Sequence, residues 1–433
     1  MGTTLLLRLA PNQRFDCMRC GRCCHRWHVA LREQEITELR ERDWQGDPLV
    51  PADTNPVTII DGRPYLAHKT SGECVYFDPE TKLCRLQTRF GYDAKPLGCR
   101  LFPFNPAATL PGVVSCTVRF DCPATQQNHG SPLTAHRDQV VKLSGEMGLT
   151  GDVKETALEG LKPDMAALLA ESFAELAAGN ANADPVVGSI ALLLAARHLR
   201  PLGKDFLNDR KTMREILPNL MTKFRERATA QLEHAKPLGA TDRVLFHSWL
   251  ANFMRRDEEL LDQSHGRRIR RMLQFTAILG GHGNLHNLGA EHPSMPLADV
   301  RLFSGNTLEP SSPAVWDCWR RFVDGRLRTL QFFGMALDGM GFFAGAQSLG
   351  TTFALMSAAA KVQAAAAGRA GRLETADVEY AVGTVDHAFG RSRLLRLRPQ
   401  RFVAEWFANP ARFAAALRSL GLPAAIARLQ RFA

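Results

Sequence analysis

From about residue 131 onward, apolar residues of this 433-residue chain recur at three- and four-residue intervals. That period belongs to helices that bury one face. The spacing predicts helices over 165–178, 185–199, 244–254 and 266–279. Asp184 stands at the N-cap position of the second, with Pro185 at its first helical residue. The stretch 339–360 carries no charge and nearly reaches membrane-span length,. Gln347, Ser348, Thr351, Thr352 and four glycines dilute it, so it reads as a buried helix with no membrane span. A Gly/His/Pro-rich loop covers 280–312, and 314–433 returns to helical spacing.

Before residue 130 the pattern changes. Pro, Gly and Asp are frequent, and Asp61-Gly62, Asp78-Pro79 and Asn105-Pro106 are turn signals,. Long periodic apolar runs are scarce, as expected of loops and short elements organised around something other than a large core. The predicted fold is mainly α: an irregular cysteine-rich, metal-bound module over 1–130, then a mainly helical domain over 131–433.

Composition is that of a globular protein, with 45% hydrophobic and 23% charged residues,. Lys and Arg number 54 against 44 Asp and Glu, a formal charge of +10 that favours an acidic partner,. The surplus is spread out; its densest late cluster, Arg391, Arg393, Arg396, Arg398 and Arg401, reads as solvated surface. Aromatics do not interleave with basic residues, so no nucleic-acid module is recognisable. The apolar run at Leu5-Leu6-Leu7 is too short for a secretory signal, and Leu6 breaks the myristoylation pattern. The expected compartment is the cytoplasm, where stable disulfides are disfavoured.

Nine of the ten cysteines lie between Cys17 and Cys122. Cys17, Cys20, Cys23 and Cys24 form C-x2-C-x2-C-C, whose two-residue gaps let thiolates converge while Gly21 relieves the turn. Cys74, Cys84, Cys99, Cys116 and Cys122 follow, and Pro123 after Cys122 matches the close of a ferredoxin-type run. This density exceeds what core filling needs, so the pattern points to metal ligation. Neighbouring side chains in a helix diverge by about 100°, so one small site would take both Cys23 and Cys24 only awkwardly. Two centres flanking the segment, or one cluster with the remaining thiols structural, both stay open. Zinc and iron–sulfur suit the thiolates equally. His25 and His28 are candidates to support the ligands. His282 and His286 have the spacing of a metal pair but sit among glycines with no zincin carboxylate, so they read as a metal-free loop. Cys318 reads as a core cysteine.

The motifs Gly72-Glu73-Cys74-Val75-Tyr76-Phe77-Asp78, Lys82-Leu83-Cys84-Arg85-Leu86-Gln87, Pro96-Leu97-Gly98-Cys99-Arg100-Leu101-Phe102-Pro103-Phe104 and Cys122-Pro123 follow the first cysteines in order. Over residues 15–125 the chain thus resembles the YkgJ-type cysteine-cluster family, a zinc- or iron-chelating domain. The resemblance implies Cys17, Cys20, Cys23, Cys24, Cys74, Cys84, Cys99 and Cys122 as metal ligands, with Cys116 left over. A longer resemblance runs to the flagellin lysine-N-methylases, through Cys23-Cys24-His25-Arg26-Trp27, Leu83-Cys84-Arg85-Leu86-Gln87, and the stretches 373–378 and 386–388. The methylases space their first cysteines more widely.

Two function classes follow. The first is a methyltransferase that moves a methyl group from S-adenosylmethionine to a lysine of a flagellin-like protein; its attacking amine must be neutral and aligned. The second is a non-catalytic metal or redox module whose helical body binds a partner. The cofactor is an iron–sulfur cluster, [4Fe-4S] foremost, or zinc. The radical triplet C-x3-C-x2-C is absent. Gly339-Met340-Gly341-Phe342-Phe343-Ala344 fits G-x-G-x-x-A but follows no strand, so it reads as helix packing. No residue is anchored as a general base, and the catalytic residues are unassigned.

Overall fold

The computed structural model describes residues 6–60, 62–151, 153, 155–179, 184–255, 265–289, 291–304, 307–389 and 398–422. The chain is mainly α. Helices Pro163–Ala177, Pro185–Leu199, Ala240–Met254 and His265–Leu279 stand where the apolar spacing predicts them. Asp184 Oδ1 accepts from the Val186 amide at 2.8 Å, satisfying one of the free N–H groups at the helix start,.

The uncharged stretch forms the long helix Phe342–Ala366, whose Phe353, Leu355 and Met356 are fully buried. At Gly345 a side chain would collide with the Phe332 carbonyl, so the glycines there serve close packing. Lys361, beyond the uncharged stretch, is buried and donates to the carbonyls of Leu302 and Leu420, each at 3.0 Å. Among the described residues, one stretch is long and apolar enough to cross a membrane, Pro185–Leu207, and 67% of its window is buried inside the protein. The helix Arg210–Glu233 escapes the pattern reading because Pro218 lies inside it. Its buried face is nevertheless regular: Met213, Leu217, Phe224, Ala228 and Leu232.

The first 130 residues hold more regular structure than the turn signals suggest. Strand Leu6–Leu9 runs parallel to Val113–Val118, which pairs antiparallel with Phe104–Leu110. Their inward residues Phe104, Leu110, Cys116 and Val118 join the same core as the helices. The Gln331 side chain staples sheet to body: its amide donates to the Asn105 and Ser115 carbonyls at 2.8 Å, and its carbonyl accepts from Thr117 Oγ1 at 2.8 Å. A second, smaller core is built from Val29, Leu31, Leu39, Trp44, Val50, Val57, Leu66, Cys74, Tyr76, Phe77 and Leu86. The smaller core thus lies within residues 29–86, while Phe104, Leu110, Cys116 and Val118 pack with the helices.

Of the late arginine cluster, Arg391, Arg393 and Arg396 lie outside the described residues. Arg398 and Arg401 belong to helix Arg398–Phe407, where Arg401 pairs with Glu405 at 3.2 Å. His282 lies in irregular backbone just after the Gly280-Gly281 turn and His286 in the 3-10 turn Leu285–Leu288, its Nδ1 3.0 Å from the His292 carbonyl.

Candidate metal centre

The knuckle around the first cysteines is shaped by two left-handed residues. Arg19 adopts φ 54°, and its amide donates to Cys17 Sγ at 3.4 Å. Gly21 adopts φ 71°, and a Cβ there would stand 2.7 Å from Phe77 Cζ, so only glycine fits both the turn and the ring,. The chain then enters the short helix Arg22–Arg26, closed by Cys24 N donating to the Gly21 carbonyl at 2.8 Å.

Backbone pairing brings the later cysteines in. Cys74 N donates to the Cys24 carbonyl at 2.7 Å, and Phe77 pairs with Cys84 in an antiparallel bridge. Asp78 caps the intervening turn through the Glu80 and Thr81 amides. The helix Arg85–Phe90 after Cys84 is pinned by the buried Asp47 carboxylate, 2.6 Å from Arg85 and 3.4 Å from Arg89. Cys99 sits in helix Leu97–Leu101, whose first amide donates to Glu35 Oε1 at 2.6 Å. Cys122 precedes helix Pro123–Gln126.

Seven of the eight implied ligands, Cys17, Cys20, Cys23, Cys24, Cys84, Cys99 and Cys122, line one cavity of about 370 Å³. Cys74 is buried and does not line it; burial raises its pKa, and the nearby charges of Cys84 and Cys23 add to the rise. Cys116 lies elsewhere, fully buried in the sheet with its thiol donating to the Thr117 carbonyl at 3.1 Å. Cys318 is buried in helix Asp317–Arg328. His25 packs on Phe77 with ring centroids 4.7 Å apart, and His28 on His68 at 4.6 Å. Neither lines the cavity.

The adjacent pair corrects a geometric expectation. Cys23 and Cys24 do not diverge: their sulfurs stand 4.0 Å apart. The edge of a tetrahedron of thiolates at about 2.3 Å from a central ion is about 3.8 Å, so sulfurs at this separation can serve one ion or two adjoining ones. In this very short helix the side-chain torsions, not the helical phase, decide where the sulfurs point. Among the described residues, no three His, Cys, Asp or Glu side chains already stand at full metal-binding spacing.

The electrostatics favour thiolate at Cys23 and the protonated thiol at its buried neighbours. The hydrogen bond from Cys24 holds the Cys23 thiol down to about 7, with help from the Lys95 ammonium. The same bond pushes Cys24 far up. Burial raises Cys74 and Cys122 to about 12 and Cys99 well above the ordinary thiol range. Such buried thiols ionise when a metal replaces the proton. Burial would lower the pKa of Lys95, but the charges of Cys84 and Cys99 raise it. Lys95 lines the cavity beside Tyr92, Gln87 and Gln139. Gln87 closes the Lys82–Gln87 motif, but no sequence motif singles out the other three: Lys95 directly precedes the Pro96 motif, and Gln139 arrives on helix Arg137–Glu146.

Nearby, the Arg119 guanidinium stacks 3.5 Å from the Trp27 ring centre and pairs with Asp121, which also meets His387 at 3.2 Å. This ties the flank of Cys122 to helix Thr375–Ala388 of the body.

Thiols of this number, around one cavity, are the donor set that zinc and iron–sulfur chemistry requires. Residues 16–127 match the CxxCxxCC family model. The family is described as "Putative zinc- or iron-chelating domain". The match spans all the cavity's cysteines and ends ahead of the helical body. No curated protein and no solved structure matches the chain. The likeness to methylases rests on the sequence motifs alone.

Proposed function

We propose that this chain is a thiolate metalloprotein whose CxxCxxCC domain carries an iron–sulfur cluster, [4Fe-4S] in the first instance, with zinc as the alternative metal. The observation that supports this reading is the convergence of seven cysteines on one cavity. At about 370 Å³ that space exceeds the needs of a single ion. Its ligands would be drawn from Cys17, Cys20, Cys23, Cys24, Cys74, Cys84, Cys99 and Cys122. A cluster would supply one-electron chemistry or an electrophilic iron; zinc would supply folding energy. Lys95 offsets the negative charge that four thiolates leave on either metal. Cys17, Cys20 and Cys23 are exposed free thiols, which suits a reducing compartment such as the cytoplasm,.

Metal and acid-labile sulfide analysis of anaerobically purified protein tests this reading. Iron with sulfide and visible charge-transfer absorption supports the cluster. Zinc alone supports the structural alternative, and neither metal overturns both.

A second reading is methyl transfer from S-adenosylmethionine to a lysine of a protein substrate. It is favoured by the cavity's volume, which falls in the range of small-molecule sites,. The site would have to exclude water and present a neutral amine. Calorimetric titration with S-adenosylmethionine should then show saturable heat. Absence of heat leaves the non-catalytic redox or partner-binding module.

A further inference from the structure

The eight thiols of the domain fall into two groups held by different parts of the backbone. Cys74 belongs to the smaller hydrophobic core, and Cys24, Cys84 and Cys99, partly buried, pack against it. No other cysteine does so. This group is drawn together by the Cys74–Cys24 hydrogen bond of 2.7 Å and by the Phe77–Cys84 bridge. Cys17 and Cys20 are exposed on the loop that leads into helix Arg22–Arg26, and Cys23 is exposed in the first turn of that helix.

The base of that loop is zipped to the chain just beyond Cys122. Arg14–Phe15 pairs antiparallel with Ser131–Pro132, and Asp16 N donates to the His129 carbonyl at 3.0 Å. The Gln13 amide reaches the Thr125 carbonyl at 3.3 Å, inside the turn that Cys122 begins. One zipper therefore delivers Cys17, Cys20 and Cys122 together, and the other delivers Cys24, Cys74 and Cys84.

We propose that the domain holds two separate four-thiolate sites, an inner one of Cys24, Cys74, Cys84 and Cys99 and an outer one of Cys17, Cys20, Cys23 and Cys122. The proposal rests on reading the domain as a thiolate metal centre. Four thiolates complete a closed tetrahedral site, so a fifth thiol in the inner group has no place there. Cys23 is the one to leave: it shares the exposure of Cys17 and Cys20, while Cys24 shares the burial of its group. Their sulfurs, 4.0 Å apart, stand at the junction, so the C-C dipeptide serves as the partition between two neighbouring centres.

The two sites differ in chemistry. The inner one is backed by Tyr76, Phe77 and Leu86 and reaches the cavity through Cys24, Cys84 and Cys99, with Cys74 buried, which suits a more slowly exchanging zinc or iron ion. The outer one combines C-x2-C-x2-C with a Cys-Pro close, the ligand arrangement of a four-iron cluster, and opens on the cavity mouth. Its metal is the one that reductants, chelators or a substrate can reach.

The test uses full-length protein reconstituted with iron, sulfide and zinc, comparing wild type with Cys20→Ser and Cys99→Ser. Cys20→Ser should lose the iron and sulfide with their visible absorption and keep the second metal; Cys99→Ser should do the reverse. Because Cys99→Ser removes a side chain packed on a core, chelator-driven release from wild type provides the second measurement. Two phases differing at least about tenfold in rate, the sulfide-bearing metal leaving first, are expected from one exposed and one buried site. Release of all metal in a single phase, or loss of all metal in Cys20→Ser, overturns the partition while leaving the metal reading intact. Wild type that takes up no metal overturns the metal reading, and the partition with it.

Discussion

Gly21 and Cys23 show how much of the metal centre is prepared by single residues. Gly21 combines a left-handed backbone with a ring 2.7 Å from where its Cβ would be. Gly21→Ala should therefore cost about 1–3 kcal/mol and lower the metal content of purified protein, while Gly62→Ala, at a left-handed turn open to solvent, should leave metal content unchanged. Equal metal in both variants would remove the role assigned to Gly21. In metal-free protein the Cys23 thiol, held at about 7 by Cys24, should alkylate half-maximally near that pH,. Its folded-state value is depressed, so the reactive thiolate predominates above pH 7 and is lost as the pH falls through it. Cys24→Ala removes the hydrogen bond and should move that midpoint upward, toward about 8.5; mass spectrometry of the alkylated peptide reads it. The cysteines themselves are legible in the sequence because ligand spacing is local. Lys95, Tyr92 and Gln139 are not, because only the folded chain brings a lysine before a proline and a glutamine on a later helix to the same wall.

Among the elements, the helix Phe342–Ala366 is held at its far end by one cation. Lys361 satisfies two buried carbonyls from separate segments, at Leu302 and Leu420. Lys361→Met keeps the apolar stem and strands both acceptors, so urea unfolding should report a loss of about 1–3 kcal/mol; an unchanged midpoint would show that the carbonyls find other partners. Helices with regular apolar spacing and a clear start, such as Pro185–Leu199, could be read from the chain to within a few residues. Arg210–Glu233 could not, because Pro218 imitates a stop while tertiary packing of the Met213–Leu217–Phe224 face overrides it. The strand Leu6–Leu9 was equally hidden: its parallel partner begins at Val113, and no local period announces a pairing so distant.

At the level of the whole molecule, the cysteine-rich segment and the helical body share one core, joined through the sheet, Gln331 and a buried ion pair. Arg326 meets Asp386 at 2.6 Å, both almost fully buried, and Asp386 also accepts from the Phe120 amide at 2.8 Å. Arg326→Met removes a buried guanidinium from the Asp386 carboxylate and should destabilise the protein by about 3 kcal/mol. Because Phe120 lies two residues before Cys122, the same variant should also bind metal more weakly, measured by competition with a chelator; metal affinity identical to wild type would mean that the body does not support the centre. The change of texture near residue 130 was visible in composition, but composition does not report which residues pack together. Val114, Val118 and Phe120 precede that change and still belong to the body's core.

The clasp between residues 14–16 and 129–132 has a consequence for how such a protein is made. It joins the two ends of the cysteine-rich segment through backbone pairing and through the Asp16 carboxylate, which accepts from Ser131 N and Oγ at 2.7 and 2.9 Å; no cysteine takes part in these bonds, so closure of the segment does not wait for an ion. The newly synthesised chain can reach its final topology empty and be loaded afterwards. Whatever delivers the metal then has to work from outside a finished protein, and the exposed sulfurs of Cys17, Cys20 and Cys23 are the first it meets.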